Sequence, residues 1–181
     1  MPTNKPHYIH LYYGDGKGKT TAALGLALRA IGHGKKVVML QWLKGRKDIG
    51  EIKAAKLLGK NFIIHQFGPT YFTWEEPKSP KGEPRHKKLA QKGLEKLEQI
   101  VAKTKYDILI LDEVVDAVNM QFISKSKTIG LIKKAVKKGE VIITGHNPSP
   151  DWVKLADLAT EMKKQKHYFD KKQSAREGIE Y

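Results

Sequence analysis

The residues best suited to chemistry are consecutive: Tyr13-Gly14-Asp15-Gly16-Lys17-Gly18-Lys19-Thr20-Thr21. An apolar, β-prone run from Tyr8 to Tyr12 precedes them, and a helical pattern follows through Ala22, Ala23, Leu24, Leu26, Ala27, Leu28, Ala30 and Ile31. Strand, glycine loop, Lys-Thr and helix is the context of a phosphate-binding loop. The loop amides form an anion nest and the helix N-terminus adds its dipole. Lys19 is placed to reach the terminal phosphates and Thr20 to offer a hydroxyl to Mg²⁺. Gly14, Asp15, Gly16, Lys17, Gly18, Lys19, Thr20 and Thr21 are therefore the candidate nucleotide-binding residues, and the expected ligand is a nucleoside triphosphate. The strict motif has glycine five positions before Gly18, where this chain has Tyr13.

Further along, Ile108-Leu109-Ile110-Leu111-Asp112-Glu113 is an apolar strand ending in two carboxylates. That is the form of a Walker B element, in which a strand-end carboxylate holds Mg²⁺ or its water near the phosphates. The other reading makes Asp112 the N-cap of a following helix. Paired with the glycine loop, the metal reading is preferred, and the candidate metal ligands are Thr20, Asp112 and Glu113. No activated Ser, Cys or Lys nucleophile is evident. Lys19, Thr20 and Glu113 are the candidate catalytic groups, through stabilisation of phosphate charge rather than bond-making.

Two further segments lie where ligands bind. Residues 68–84 hold four prolines and the run Phe72-Thr73-Trp74-Glu75, too long a stretch for an ordinary connection. Its aromatics suit either a local hydrophobic plug or a binding loop. Thr144-Gly145-His146-Asn147-Pro148 follows a strand at the edge where open parallel sheets bind ligands, and it carries the same two readings.

The elements that must position these residues alternate. Strands are expected at 9–13, 37–42, 62–67, 108–111 and 141–144, with a weaker sixth at 158–162. Helices are expected at 19–31, 49–58, 84–103, 126–138 and 150–156. Near-continuous apolar strands between helical patterns argue an α/β fold: a mostly parallel sheet of five or six strands, flanked by helices. The chain has 181 residues, enough for one domain over its length. Residues 163–181 form a polar tail with His167, Phe169 and Tyr181, charged enough to suit a disordered end.

Composition narrows the function classes. There is no cysteine, which excludes disulfides, cysteine-held zinc, iron–sulfur clusters and thiol nucleophiles. No apolar run reaches the roughly 20 residues of a membrane helix, and the first residues lack the apolar core of a signal peptide, so a cytoplasmic protein is expected. The net charge of +15 attracts anions. The lysines are spread over helix faces and loops without interleaved aromatics, which argues against nucleic acid as the partner.

Assembled, these motifs resemble the P-loop ATP:corrinoid adenosyltransferases. Gly14-Asp15-Gly16-Lys17-Gly18-Lys19-Thr20-Thr21-Ala22-Ala23 is similar to that family's opening loop, in which the glycine missing at Tyr13 is also missing. Gln41-Trp42-Leu43-Lys44-Gly45, Phe72-Thr73-Trp74-Glu75, Leu111-Asp112-Glu113, Ile143-Thr144-Gly145, and Thr160-Glu161-Met162 resemble later family motifs. So does the ending Lys166-His167-Tyr168-Phe169-Asp170 … Gly178-Ile179-Glu180-Tyr181. The chain departs from the family at His146, where Arg is common, at Lys137-Lys138, and at Lys172-Gln173-Ser174.

The resemblance implies a P-loop NTPase-like fold and alkylation of cobalt: a corrinoid in the Co(I) state attacks the 5′ carbon of ATP and triphosphate leaves. It implies ATP bound with Mg²⁺, held in the reverse direction to ordinary P-loop enzymes, and a corrinoid acceptor, either cobalamin or a precursor. Phe72 and Trp74 would pack beneath the corrin and displace its lower axial ligand. A homodimer and a flavoprotein electron donor are further implications. The alternatives are a P-loop ATPase acting with nucleic acid, suggested by the charge, and a non-catalytic corrinoid or nucleotide carrier, suggested by the altered tail.

Overall fold

A computed structural model of the chain describes residues 6–70 and 84–181. Six short strands carry its core: β1 (Ile9–Tyr13), β2 (Val37–Trp42), β3 (Phe62–Phe67), β4 (Ile108–Asp112), β5 (Glu140–Gly145) and β6 (Leu158–Glu161). Every pairing is parallel and the order across the sheet is β3-β2-β4-β5-β1-β6. The α/β sheet of the sequence reading is present, and the weak sixth strand pairs with β1 along one edge.

Side chains alternate between the two faces, so each strand feeds two cores. Val38, Leu40, Trp42, Leu109, Leu111, Val141 and Ile143 point to one face. There they meet α3 (Pro84–Lys103), α4 (Val114–Asn119), α5 (Lys125–Ala135) and α6 (Pro150–Leu155). Val37, Met39, Ile108, Ile110 and Ile142 point to the other, against α1 (Lys19–Gly32) and α2 (Gly50–Leu58). The helix α1 approaches closely because it offers Ala23, Ala27 and Ala30 to the sheet, a small-residue stripe at helical spacing.

The long helix α3 buries Ala90, Leu94, Leu97, Ile100 and Val101 at i, i+4, i+7, i+10 and i+11. Gly93 in its middle costs about 1 kcal/mol of helix propensity relative to Ala. A Cβ there would lie 2.7 Å from the indole nitrogen of Trp42, which donates to Ala90 O at 3.1 Å. The glycine makes room for the largest core side chain of β2.

Two expectations are corrected. The helix α4, absent from the expected helix ranges, follows β4 after Glu113. The C-terminal stretch is docked rather than disordered. Met162 N donates to Tyr13 O, Gly16 N to Met162 O (both 2.7 Å), and a 3₁₀ turn at Tyr168–Lys171 continues toward the glycine loop. Among the described residues, no helix is long and apolar enough to cross a membrane.

Candidate functional site

Parallel strands bring all their C-terminal ends to one edge of the sheet. The glycine loop leaves β1 there, Leu43–Gly45 leaves β2, Glu113 follows β4 and His146 follows β5. Together with the tail they line a cavity of about 630 Å³. Asp15, Gly16, Lys17, Gly18, Lys19, Thr20, Thr21, Lys44 and Glu113 are on its wall, and so are His146, His167 and residues 178–181. Of the expected nucleotide-binding residues, Gly14 alone is not; it is buried under Met162.

The loop's glycines are demanded by its geometry. Gly14 and Gly18 hold φ of 111° and 125°, which L side chains rarely adopt. A Cβ at Gly14 or Gly16 would sit 2.5 or 2.6 Å from Met162 O. The loop and the tail backbone are thus packed without space for a side chain between them. Asp15 Oδ1 accepts from Lys164 N at 3.0 Å, and that bond leads in holding its carboxyl below the usual range. Lys17 turns to the tail: its ammonium donates to Tyr168 Oη and Ile179 O (2.9 Å each) and to Glu180 Oε1 at 2.6 Å. Lys17, with Tyr168 and Arg176, depresses the Glu180 carboxyl strongly. Lys19 donates to Gly14 O (2.6 Å) and Gly16 O (2.9 Å), so it crosses its own loop at the N-terminus of α1. Burial pushes the Lys19 ammonium pKa down, against the pull of Asp116, Glu113, Asp15 and Asp112.

Beneath the loop lies an oxygen cluster. Asp112 is fully buried. Its Oδ1 accepts from Thr20 Oγ1 at 2.9 Å and Thr144 Oγ1 at 2.7 Å. Its Oδ2 accepts from Lys44 Nζ at 2.7 Å and Gln41 Nε2 at 3.2 Å. Burial works to raise the Asp112 pKa, but Lys44 and the two hydroxyls outweigh it and the carboxyl stays below the usual range. Glu113 lies 3.3 Å from Lys44 through Oε1, and burial raises its pKa despite Lys44. The Lys44 ammonium is raised well above the usual lysine value; burial opposes this, and Asp112 and Glu113 overcome it. Asp112 does not cap α4: its carboxylate oxygens serve these four donors, and Glu113 occupies the cap position without a side-chain bond.

The turns that aim these groups are strained. Leu43 and Glu113 both hold φ of 59°, the left-handed region that costs non-glycine residues of order 1–3 kcal/mol. Both directly follow a strand whose end they turn sharply, Leu43 toward Lys44 and Glu113 into α4.

The donor set of Thr20, Asp112 and Glu113 suits a hard cation that completes its shell with waters and phosphate oxygens, as Mg²⁺ does. Three of its oxygens already surround one positive charge, that of Lys44. Among the described residues, no group of three or more His, Cys, Asp or Glu forms an all-protein metal cage. The expected triad of Thr20, Asp112 and Glu113 is therefore brought together. Phe72 and Trp74 lie outside the described residues.

Sequence reasoning missed Lys44, Gln41 and Thr144 as members of the cluster, and the tail as a wall of the cavity. Gln41, Lys44, Thr144 and the tail all stand within the family motifs, and Thr144 opens the segment at the ligand-binding edge, but nothing local in the sequence ties them to the carboxylates or the loop.

The chain resembles the corrinoid adenosyltransferase of Escherichia coli strain K12, 33% identical over 173 residues, covering 96% of this chain and 85% of that one. It is 34% identical over 173 residues to the corrinoid adenosyltransferase CobA of Salmonella typhimurium strain LT2, with the same coverages. Its fold is similar to the crystal structure of the flagellar accessory protein FlaH from Methanocaldococcus jannaschii. The TM-score is 0.60 at 15% identity, covering 86% of this chain and 71% of that one. The family model described as ATP:corrinoid adenosyltransferase BtuR/CobO/CobP matches residues 5–181, and the chain belongs to that family.

Proposed function

We propose that the chain works as a single domain that transfers the 5′-deoxyadenosyl group of ATP to the Co(I) centre of a corrinoid, in adenosylcobalamin biosynthesis or salvage. The cobalt electron pair forms the Co–C5′ bond, the C5′–O bond breaks, and triphosphate leaves with that bond's electrons. The observation that carries this reading is convergence. The glycine loop, Lys19, Thr20 and Glu113 all line one cavity in a chain whose family match spans residues 5–181.

Each residue's part follows from leaving-group charge. Triphosphate departs with more negative charge than it carried as an ester, so donors aimed at it favour the transition state over bound ATP. The amides of Lys17 to Thr21 and the α1 dipole hold the chain of phosphates; the Gly16 amide already donates to Met162 O. Lys19 leaves its two loop carbonyls to meet the developing charge. Thr20, Asp112 and Glu113 would hold Mg²⁺, which when bound supplies Lewis-acid stabilisation of the departing oxygens. The protein offers no nucleophile of its own because the substrate's cobalt provides it. Phe72 and Trp74 would face the corrin. We also propose a cytoplasmic location, a homodimer and a flavoprotein as the electron source.

A product assay tests this. ATP with chemically reduced cobalamin should give adenosylated corrinoid and triphosphate in equal amounts, neither forming without the corrinoid. ADP and phosphate as products, or turnover driven by DNA or RNA, would overturn it in favour of a nucleic-acid ATPase.

A further inference from the structure

Lys44 stands where the proposed metal would stand. Its ammonium lies 2.7 Å from Asp112 Oδ2, 3.0 Å from Thr20 Oγ1 and 3.3 Å from Glu113 Oε1. These three side chains are the ones assigned above to Mg²⁺. An ammonium and a divalent cation compete for the same oxygens. Mg²⁺ draws its ligands to about 2.0–2.1 Å and keeps an octahedral shell of waters and oxygens, which leaves no place for a second cation among them.

The placement of Lys44 is built rather than incidental. Its side chain is 24% exposed, so its stem is held by packing. Leu43 turns the backbone at φ 59° to aim it. The turn is also locked from behind: a Cβ on Gly68 would lie 2.2 Å from Lys44 N, and one on Gly45 would lie 2.2 Å from Gly68 O. The side chain also lines the cavity that holds Lys19 and Thr20, so its ammonium has the carboxylates on one side and the space beside the loop on the other.

We propose that Lys44 is the resident counter-cation of the Thr20–Asp112–Glu113 cluster, and that a divalent cation enters only by displacing it. The displaced ammonium needs an anion, and the triphosphate supplies one in the same cavity. Metal and nucleotide then bind as one unit, and free metal alone binds weakly. The proposal rests on the metal reading of these carboxylates.

Mn²⁺ alone, followed by its electron paramagnetic resonance and by calorimetry, is the probe. Without nucleotide, the wild-type chain should bind Mn²⁺ at least about tenfold more weakly than Lys44→Gln, because that variant removes a full positive charge at contact distance from the ligands. Melting gives a second readout. Lys44→Gln should be destabilised and recover on adding Mn²⁺, whereas the wild-type melting temperature should not respond to Mn²⁺ alone. Lys44→Arg keeps the charge and should behave as wild type toward Mn²⁺. A wild-type site for Mn²⁺ that is lost in Glu113→Gln, yet equals Lys44→Gln in affinity without nucleotide, overturns the proposal. So does a folded Lys44→Gln that gains no affinity. If Lys44→Gln does not fold, the wild-type titration without nucleotide decides alone: a tight site sensitive to Glu113→Gln refutes displacement. If Glu113→Gln leaves the Mn²⁺ dependence of ATP binding unaltered, the metal reading itself fails and takes the proposal with it. Formation of adenosylated corrinoid remains the separate check on the proposed function.

Discussion

Replacing Asp112 by Asn changes one atom and tests the whole cluster. The carboxylate accepts four hydrogen bonds and donates none, from Thr20, Thr144, Lys44 and Gln41. An amide must turn one NH₂ toward donors. Facing Lys44 and Gln41, it meets an ammonium that can only donate and the NH₂ of an amide whose oxygen already accepts from Gln66 Nε2 at 3.1 Å. Facing the threonines, it needs both hydroxyls to accept. Thr144 Oγ1 accepts from Glu113 N at 2.9 Å and Thr20 Oγ1 from Lys44 at 3.0 Å, and each has a lone pair to spare, but each loses the oxygen to which its own hydrogen is donated. Either orientation leaves a buried donor without a partner.

The charge is lost as well. Breaking a buried ion pair from one side costs about 3–5 kcal/mol. Glu113 remains 3.3 Å from Lys44, and Lys44 is partly exposed, so the lower end applies. For a chain of this length about 3 kcal/mol lowers the melting temperature by roughly 6–12 °C. Thermal melts at neutral pH read this directly. The pH dependence supplies a second check. The folded Asp112 pKa is depressed, so its contribution is complete above the ordinary carboxylate pKa and is lost as pH falls toward the folded value. The gap between wild type and Asp112→Asn should therefore narrow as pH drops below about 4. A melting temperature within about 2 °C of wild type at neutral pH would refute the cluster's structural role, and a gap that widens on acidification would refute its ionised state.

Lys19→Ala should cut kcat about 10²–10³-fold, the usual loss for one charge-stabilising donor, while the fold persists; near wild-type turnover with MgATP would remove the phosphate-loop assignment. Gly16→Ala forces a Cβ to 2.6 Å from Met162 O and should cost about 1–3 kcal/mol, with faster proteolysis of residues 163–181. Gly25→Ala is its control: nothing lies within 4 Å of that Cβ on an exposed part of α1, so it should stabilise by about 0.5–1 kcal/mol; equal effects would deny the loop–tail contact. Phe72→Ala and Trp74→Ala should keep melting temperature and ATP affinity. They should lose conversion of cob(II)alamin under mild reductant while retaining activity toward chemically generated cob(I)alamin; equal losses in both assays would place these aromatics in the core.

The strands were legible because strands covered on both faces are written as nearly unbroken apolar runs, as in Val37–Trp42 and Ile108–Asp112. The edge strand Leu158–Glu161 gave a weak signal for a physical reason: all four residues are exposed, and only pairing with β1 makes it a strand. The helix α4 was hidden because it is short and opens on Val114 and Val115, which are β-branched, so propensity points away from helix. The tail looked disordered because the bonds that dock it to the glycine loop are long-range. Lys17 meets Glu180 across 163 positions, and no local pattern encodes that.

The site itself was legible where a residue's type suffices and hidden where partners are remote. Lys19 and Thr20 announce themselves within the loop, but Lys44 acquires meaning only beside Asp112, 68 positions away. The glycines mislead in an instructive way. Gly14 and Gly16 read as a phosphate cradle, yet the space of their missing Cβ atoms is taken by the backbone of Met162. The loop's shape is therefore set jointly by the phosphate chemistry and by the tail lying against it. The strain at Leu43 and Glu113 completes this logic. Glycine would hold φ of 59° at no cost. But Leu43 packs against the core and Glu113 brings the carboxylate to Lys44, so each position needs its side chain more than it needs relaxed backbone. Local propensity fails at the two turns that aim the cluster because what those positions must carry outweighs what their backbone prefers.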